Sequence, residues 1–342
     1  PLLFPATPKE CFEMMADAFD LAERLQTPVI MMTDLDLGMN DHITEPLVWD
    51  DSRPYDRGKV LTAEQLEYLG KQITAMQAAV DKRKLASNGK GSDHIDAGLA
   101  SELDAQPLGD QSMTQPLEQF KGKWGRYLDI DDDGIPYRTI PGTHSTRGAF
   151  VTRGSSRDEY AVYTEDGEVY RRNMDRLLRK WDTAKELVPG PQFYRSADTP
   201  VLMSAEHSEE FQQKVNERGT VAGGTGDADK SVRAPLGVLF FGTSTFAAEE
   251  ALEMLEADSI HLDAMRVRAF PFSKAVSDFV DSHERLFVIE QNRDAQFRTL
   301  MMIELATEAE RLLSVLNYDG MPITADKIFR QIKECVDGSS VL

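Results

Sequence analysis

The sequence predicts an α/β protein organised on a mainly parallel sheet, and three observations lead there. From about residue 235, short apolar runs alternate with amphipathic helical segments in the order βαβαβα. Near the start, a capped helix runs directly into another short apolar run, Val29-Ile30-Met31-Met32. Finally, Leu286-Phe287-Val288-Ile289 passes without a turn residue into Glu290-Gln291-Asn292-Arg293-Asp294, so an apolar strand ends in five consecutive polar side chains. In an open parallel sheet that carboxyl edge is where ligands and partners bind.

Composition narrows the function. With 58 acidic and 38 basic residues the formal charge is -20, so the long-range field repels phosphate backbones and anionic membranes, and neither nucleic acid nor a membrane is an expected partner. The two cysteines, Cys11 and Cys335, lie at opposite ends with no C-x-x-C. The chain therefore carries neither a disulfide framework nor the thiolates for its own zinc or iron–sulfur site, and a reducing cytoplasm fits. No apolar run approaches the ~20 residues that span a bilayer. Residues 1–8 read as the middle of a domain, so a fragment lacking its N-terminal part is expected.

Thr7-Pro8-Lys9-Glu10 has capping-box spacing with proline at the first helical position, and Cys11, Met14, Met15, Ala18, Ala22 and Leu25 follow at helical period. Thr27-Pro28 stops this helix, and Val29–Met32 is expected as a short buried strand ending at Thr33-Asp34. Residues 35–58 read as irregular. Thr62 and Gln65 open a second helix, whose stripe is Leu66, Leu69, Ile73, Met76 and Val80. The tract 84–119 is polar and reads as a surface insertion.

Asp129-Ile130-Asp131-Asp132-Asp133-Gly134 copies the first half of an EF-hand loop, but the twelfth position is Ile140 where the bidentate glutamate belongs. That excludes an EF-hand and leaves an acidic turn or a looser metal site. The following stretch, 137–160, is rich in Gly, Ser, Thr and Arg, and its backbone N–H groups and guanidiniums suit an anion or an interface as well as an ordered meander. A helix over 165–186 should turn Val169, Met174, Leu177 and Trp181 inward and arginines outward. Gly219 to Asp229, with Gly-Gly-Thr-Gly, reads as a loop.

The last domain should run strand Gly237–Phe241, turn Gly242-Thr243-Ser244, helix Thr245–Glu256, strand Ile260–Val267, helix Ser273–Asp281, strand Leu286–Ile289, helix Ala295 to about Leu313, and a final helix from Thr324. Right-handed crossovers make the three strands parallel and bring the Gly242 turn, Arg268 and the Glu290 cluster to one edge. There the polar cluster either caps the following helix or faces a ligand or partner.

Residues 5–34, Arg57-Gly58-Lys59-Val60-Leu61, Asp133-Gly134-Ile135-Pro136-Tyr137-Arg138-Thr139, Pro141-Gly142-Thr143-His144 and Glu290–Asp294, in this order, resemble the alpha subunit of the 2-oxoacid:ferredoxin oxidoreductases, most closely the 2-oxoglutarate type. The resemblance implies three segments: 1–58, the C-terminal part of a pyrimidine-binding thiamine diphosphate domain; 59–195, a connecting segment with the polar insertion; and 196–342, a transketolase C-terminal-like α/β domain. Ala295 departs from the family's glycine.

It further implies coenzyme A-dependent oxidative decarboxylation of a 2-oxoacid, with electrons passed to ferredoxin. Thiamine diphosphate and magnesium would be shared with a beta subunit that also carries the iron–sulfur cluster. No catalytic residue or metal ligand is assigned to this chain. The candidates for substrate binding or an interface are Thr243, Ser244, Glu290, Gln291, Asn292, Arg293 and Asp294, together with Arg153 and Asp158. The alternatives are another thiamine-dependent chain, transketolase-like or a 2-oxoacid dehydrogenase E1 beta chain, or a non-catalytic α/β assembly module.

Overall fold

A computed structural model describes residues 1–86, 117, 120, 123–194 and 234–337. Most of the polar tract 84–119 and all of the Gly219–Asp229 stretch lie outside the described residues. In chain order the elements are β1 (Leu2–Leu3), α1 (Pro8–Leu25), β2 (Ile30–Met31), α2 (Leu35–Met39), α3 (Ala63–Ala86), α4 (Gly167–Leu187), β3 (Gln192–Tyr194), β4 (Ala234–Phe240), α5 (Ser244–Ala257), β5 (Asp263–Arg266), β6 (Ala269–Phe270), α6 (Lys274–Ser282), β7 (His283–Glu290), α7 (Gln296–Glu304), β8 (Leu312–Leu316) and α8 (Ala325–Val336). The chain forms two compact units, one of 1–22, 27–54 and 184–342, the other of 23–26 and 55–183.

The first unit holds a five-stranded sheet of order β3-β5-β4-β7-β8. The expected parallel core is present: β4 pairs in parallel with both β5 and β7. Alternation along the strands puts Val238, Phe240, Phe287, Ile289 and Val315 on one face, where they pack with Ala248, Ala251 and Leu255 of α5 and Ile328 and Ile332 of α8. Two strands of this sheet escape the sequence reading. β3 is a three-residue antiparallel addition to β5. β8 begins in the last residues of a span expected to be helix to about Leu313; α7 stops at Glu304, Ala306 takes a left-handed φ of 50°, and Leu312–Leu316 then pairs in parallel with β7. Its leucines suit either element by composition, and the long-range pairing decides. Beyond this edge strand, the Gln331 side chain accepts from Leu316 N (3.2 Å) and donates to Leu316 O (3.4 Å).

The N-terminal segment joins the same unit through a small sheet of order β2-β1-β6. The Thr7 hydroxyl caps α1 by accepting from Glu10 N at 3.0 Å, and Met14, Ala18, Leu21 and Leu25 form its buried stripe. The expected burial of Val29–Met32 does not hold: Ile30 is 57% exposed and Met32 47%, because β2 is an edge with only β1 beside it. Nor is 35–58 wholly irregular, since Asp34 caps the short α2 by accepting from Leu37 N.

In the second unit, the capping box of α3 closes as its spacing predicts, Thr62 N donating to Gln65 Oε1 (2.9 Å) and Gln65 N to Thr62 Oγ1 (3.2 Å). Leu66 and Leu69 enter a core with Leu61, Tyr68, Leu117 and Phe120, whereas Ile73 is exposed. The segments 57–61 and 133–139 run side by side, with Leu61 N donating to Arg138 O and Arg138 N to Lys59 O, both at 2.9 Å. The acidic turn carries its own counter-ions: Lys59 Nζ sits between Asp131 (2.6 Å) and Asp133 (2.7 Å), and Arg179 pairs with Asp129 (3.2 Å). Among the described residues no cluster of His, Cys, Asp or Glu is arranged to hold a metal. The faces of α4 differ from expectation. Met174 and Leu177 are exposed, while Arg176 donates to Gly134 O (2.9 Å) and the Thr183 hydroxyl to Asp133 O (2.7 Å). Carbonyls of the acidic turn recruit the polar face, a long-range demand that helical periodicity does not encode.

Candidate functional site

Strand β4 is central, and the chain proceeds from it to β5 on one side and then to β7 on the other. The loops leaving β4 and β7 therefore diverge at the topological switch point, where an open α/β sheet forms its ligand crevice. A cavity of about 360 Å³ lies there, lined from the β4 loop by Phe241, Gly242 and Ser244, from the β7 loop and α7 by Gln291, Asn292, Gln296 and Phe297, and from the N-terminal segment by Leu2, Phe4, Met32 and Asp34 among others. Its apolar wall is a ring cluster, with centroids 4.4 Å apart for Phe241–Phe297 and 5.3 Å for Phe4–Phe241.

The polar side chains of this crevice hold one another. Thr243 donates its hydroxyl to Asp34, and Gln291 donates to Thr243 Oγ1 (3.0 Å) while accepting from Ile323 N (3.0 Å). Ser244 donates to Phe241 O at 2.6 Å. These bonds tie the ends of β4 and β7 to the N-terminal segment and to the start of the last helix. Gly242, at φ +59°, supplies the left-handed turn between β4 and α5.

Glu290 is 0% exposed and sits behind the lining. Its Oε2 accepts from Phe297 N (2.7 Å) and Asn292 Nδ2 (2.8 Å), and its Oε1 from Arg298 N (2.9 Å), so the carboxylate satisfies first-turn amides of α7 and offsets the positive end of that helix. Asn292 Oδ1 accepts from Asp294 N (3.1 Å) and Gln296 N (3.2 Å). Arg293 and Asp294 form an exposed pair at 2.7 Å. Thus Ser244, Gln291 and Asn292 line the cavity, Thr243 braces it, Glu290 anchors it, and Arg293 and Asp294 are at the surface. Arg153 and Asp158 belong to the second unit: the Arg153 guanidinium stands 5.7 Å from the Tyr163 ring, and Asp158 Oδ1 accepts from Tyr160 N and Val162 N, both at 2.9 Å.

Sequence reasoning missed Phe4, Phe241 and Phe297 as a unit, because three segments distant in the chain meet only after folding. Asp34 was visible only as the residue after a short strand. Ala295, by contrast, stands out in both views: it enters α7 at φ 48° and ψ 50°, the left-handed region where a Cβ is strained. Ala295→Gly is expected to raise stability by about 0.5–1 kcal/mol, the relieved strain exceeding the entropy returned to the unfolded chain. Chemical denaturation with unchanged m checks it, and a lowered midpoint would contradict the strain.

Among the described residues the lining of the cavity holds no histidine, lysine or cysteine, and its one carboxylate, Asp34, accepts the Thr243 hydroxyl. The described residues also offer no thiolate set for an iron–sulfur cluster. Fold and crevice together define a doubly wound α/β domain with a ligand-sized cavity at its switch point.

No protein-family model matches the chain, and no curated protein does. Among solved structures it is similar to the 2-oxoglutarate:ferredoxin oxidoreductase from Magnetococcus marinus with 2-oxoglutarate, coenzyme A and succinyl-CoA bound, at TM-score 0.60 and 16% identity, over 97% of this chain and 41% of that one. The likeness is one of fold, and this chain spans about two-fifths of that chain's length.

Proposed function

We propose that the chain is part of a 2-oxoacid oxidoreductase, an alpha-subunit segment of the 2-oxoglutarate:ferredoxin type. The observation that carries this reading is the structural likeness over 97% of the chain to an enzyme of that description. The ordered sequence blocks that resemble the same family support it independently. In this reading the complete enzyme oxidatively decarboxylates 2-oxoglutarate with coenzyme A to succinyl-CoA and passes electrons to ferredoxin. Thiamine diphosphate and magnesium are shared with a beta subunit that also carries the iron–sulfur cluster, and the setting is cytoplasmic. Residues 1–58 form the end of the pyrimidine domain, 59–195 the connecting segment, and 196–342 the transketolase C-terminal-like domain.

This chain's residues then bind and position. The polar braces Thr243, Gln291 and Asp34 hold the crevice, and the surface pair Arg293–Asp294 is available to a neighbouring subunit. Asp34, the one ionisable side chain of the described lining, is engaged as a brace with Thr243, which favours this division of labour.

The complete protein, purified with the subunits that accompany it, is expected to reduce ferredoxin or a viologen dye with 2-oxoglutarate only when coenzyme A is present. The 342-residue chain alone is expected to be inactive. A complete complex that turns over none of 2-oxoglutarate, pyruvate or branched-chain 2-oxoacids would overturn the assignment.

A further inference from the structure

In a chain of net charge -20, one cluster of the second unit is cationic, with only part of its charge compensated locally. The guanidiniums of Arg126, Arg157 and Arg176 stand 5.1, 5.5 and 5.9 Å from the centroid of one ring, that of Tyr127. All three arginines are half-buried, and among the described residues none forms an ion pair with a carboxylate. The nearby carboxylates are committed elsewhere, Glu159 to Arg172 (3.0 Å) and Asp129 to Arg179 (3.2 Å). Burial first, and for Arg176 the adjacent Arg126, push the guanidiniums of Arg126 and Arg176 below their ordinary range, with Asp129 offsetting only part for Arg176.

Donors are left over at the same place. Arg157 uses its two terminal nitrogens on the Tyr127 hydroxyl (3.2 Å) and Gly154 O (3.1 Å), and Arg176 uses Nη1 on Gly134 O, but Arg176 Nε is buried without a partner. The loop that carries Arg157 also buries two hydroxyls, Thr152 Oγ1 and Ser156 Oγ, that have no partner. Like charges gathered around an aromatic ring and half withdrawn from water raise the energy of the fold unless an anion joins them. Planar forks and hydroxyl donors suit an anion with several oxygens, and a phosphate group has them in three dimensions.

We propose that Arg126, Arg157 and Arg176 form the cradle of a binding site for a phosphate group, with Thr152 and Ser156 as further donors and the partly exposed ring of Phe150, 5.6 Å from Arg126, as a platform for an attached organic moiety. The site is independent of the oxidoreductase reading, since it uses only side chains of the second unit.

The test is thermal unfolding and calorimetry of the complete protein in chloride buffer of fixed ionic strength, with inorganic phosphate or ADP added. A saturating phosphate ligand is expected to raise Tm by roughly 2–4 °C. Arg126→Gln is expected to weaken binding about tenfold or more. This variant removes a like charge from the cluster, so its Tm in chloride should equal or exceed that of the wild type, which separates lost binding from lost folding. Arg171→Gln, which alters an exposed pair with Asp175, should bind as the wild type does. Tighter binding of ADP than of phosphate assigns an ester, and equal binding assigns the free ion; both support the cradle when Arg126→Gln weakens them. The proposal fails if no phosphate species binds, or if Arg126→Gln binds as tightly as the wild type.

Discussion

Glu10→Gln is expected to destabilise the first unit by about 3–5 kcal/mol, the cost of stripping the partner from a buried charge. The Arg266 side chain is 5% exposed and donates through both terminal nitrogens to Glu10, through one of them to Gln192 Oε1 (2.8 Å), and weakly to Phe4 O (3.4 Å). Arg268 reaches the same carboxylate at 3.6 Å, and Ala6 N donates to it at 2.8 Å. A glutamine in this place turns an amide nitrogen toward guanidinium donors and leaves two arginines to share one neutral oxygen. The denaturation midpoint should fall with m unchanged, and a midpoint within error of the wild type would refute the assignment. Glu10→Gln combined with Arg266→Met should recover a large part of the loss, because an absent pair costs less than a broken one.

The pair also sets an acid limb. Burial alone would push the Glu10 carboxyl up, but the hydrogen bond and charge of Arg266, the Ala6 N–H and the charge of Arg268 outweigh it and hold the group below its ordinary 4.5. Its folded value is therefore depressed, so its contribution is complete above about pH 4.5 and is lost as pH falls through the folded value. The wild type should lose more stability across that window than Glu10→Gln does, and parallel pH profiles would contradict this.

Glu290→Ala is the second large effect, a loss of about 2–4 kcal/mol. The substitution orphans the amides of Phe297 and Arg298 at the start of α7 and frees Asn292 Nδ2. Hydrogen exchange reports it directly: the amides of Phe297 and Arg298 should exchange faster, while those of β5 on the far side of β4 remain protected. Arg293→Ala, at the exposed neighbour, should leave the unfolding midpoint within about ±0.5 kcal/mol. An unshifted midpoint for Glu290→Ala would return this carboxylate to a role outside the fold.

The sequence carried the local grammar of this protein well. The capping box at Thr62 closes where its spacing places it, and at Thr7 the hydroxyl caps the helix as expected while Glu10 turns to Ala6 N and to Arg266. The alternation after residue 235 yields parallel strands with their loops at one edge. What escaped was set by distant partners. The start of β8 reads as the end of a helix until β7 is available to pair with it, and α4 turns Arg176 and Thr183 inward because carbonyls 42 and 50 residues earlier need donors. The Glu290 stretch was legible as a strand end, but which of its five side chains face the cavity depends on Asn292 and Glu290 folding back onto α7, a geometry that no periodicity reports.

The carboxamide of Gln331 has a consequence for life in a crowded solution. Leu316 directs its N–H and carbonyl away from β7, and a bare edge of this kind recruits a strand from another molecule. One side chain of α8 takes both groups and occupies the place a foreign backbone would need. At Leu316 the edge of the main sheet is thereby closed to a foreign strand.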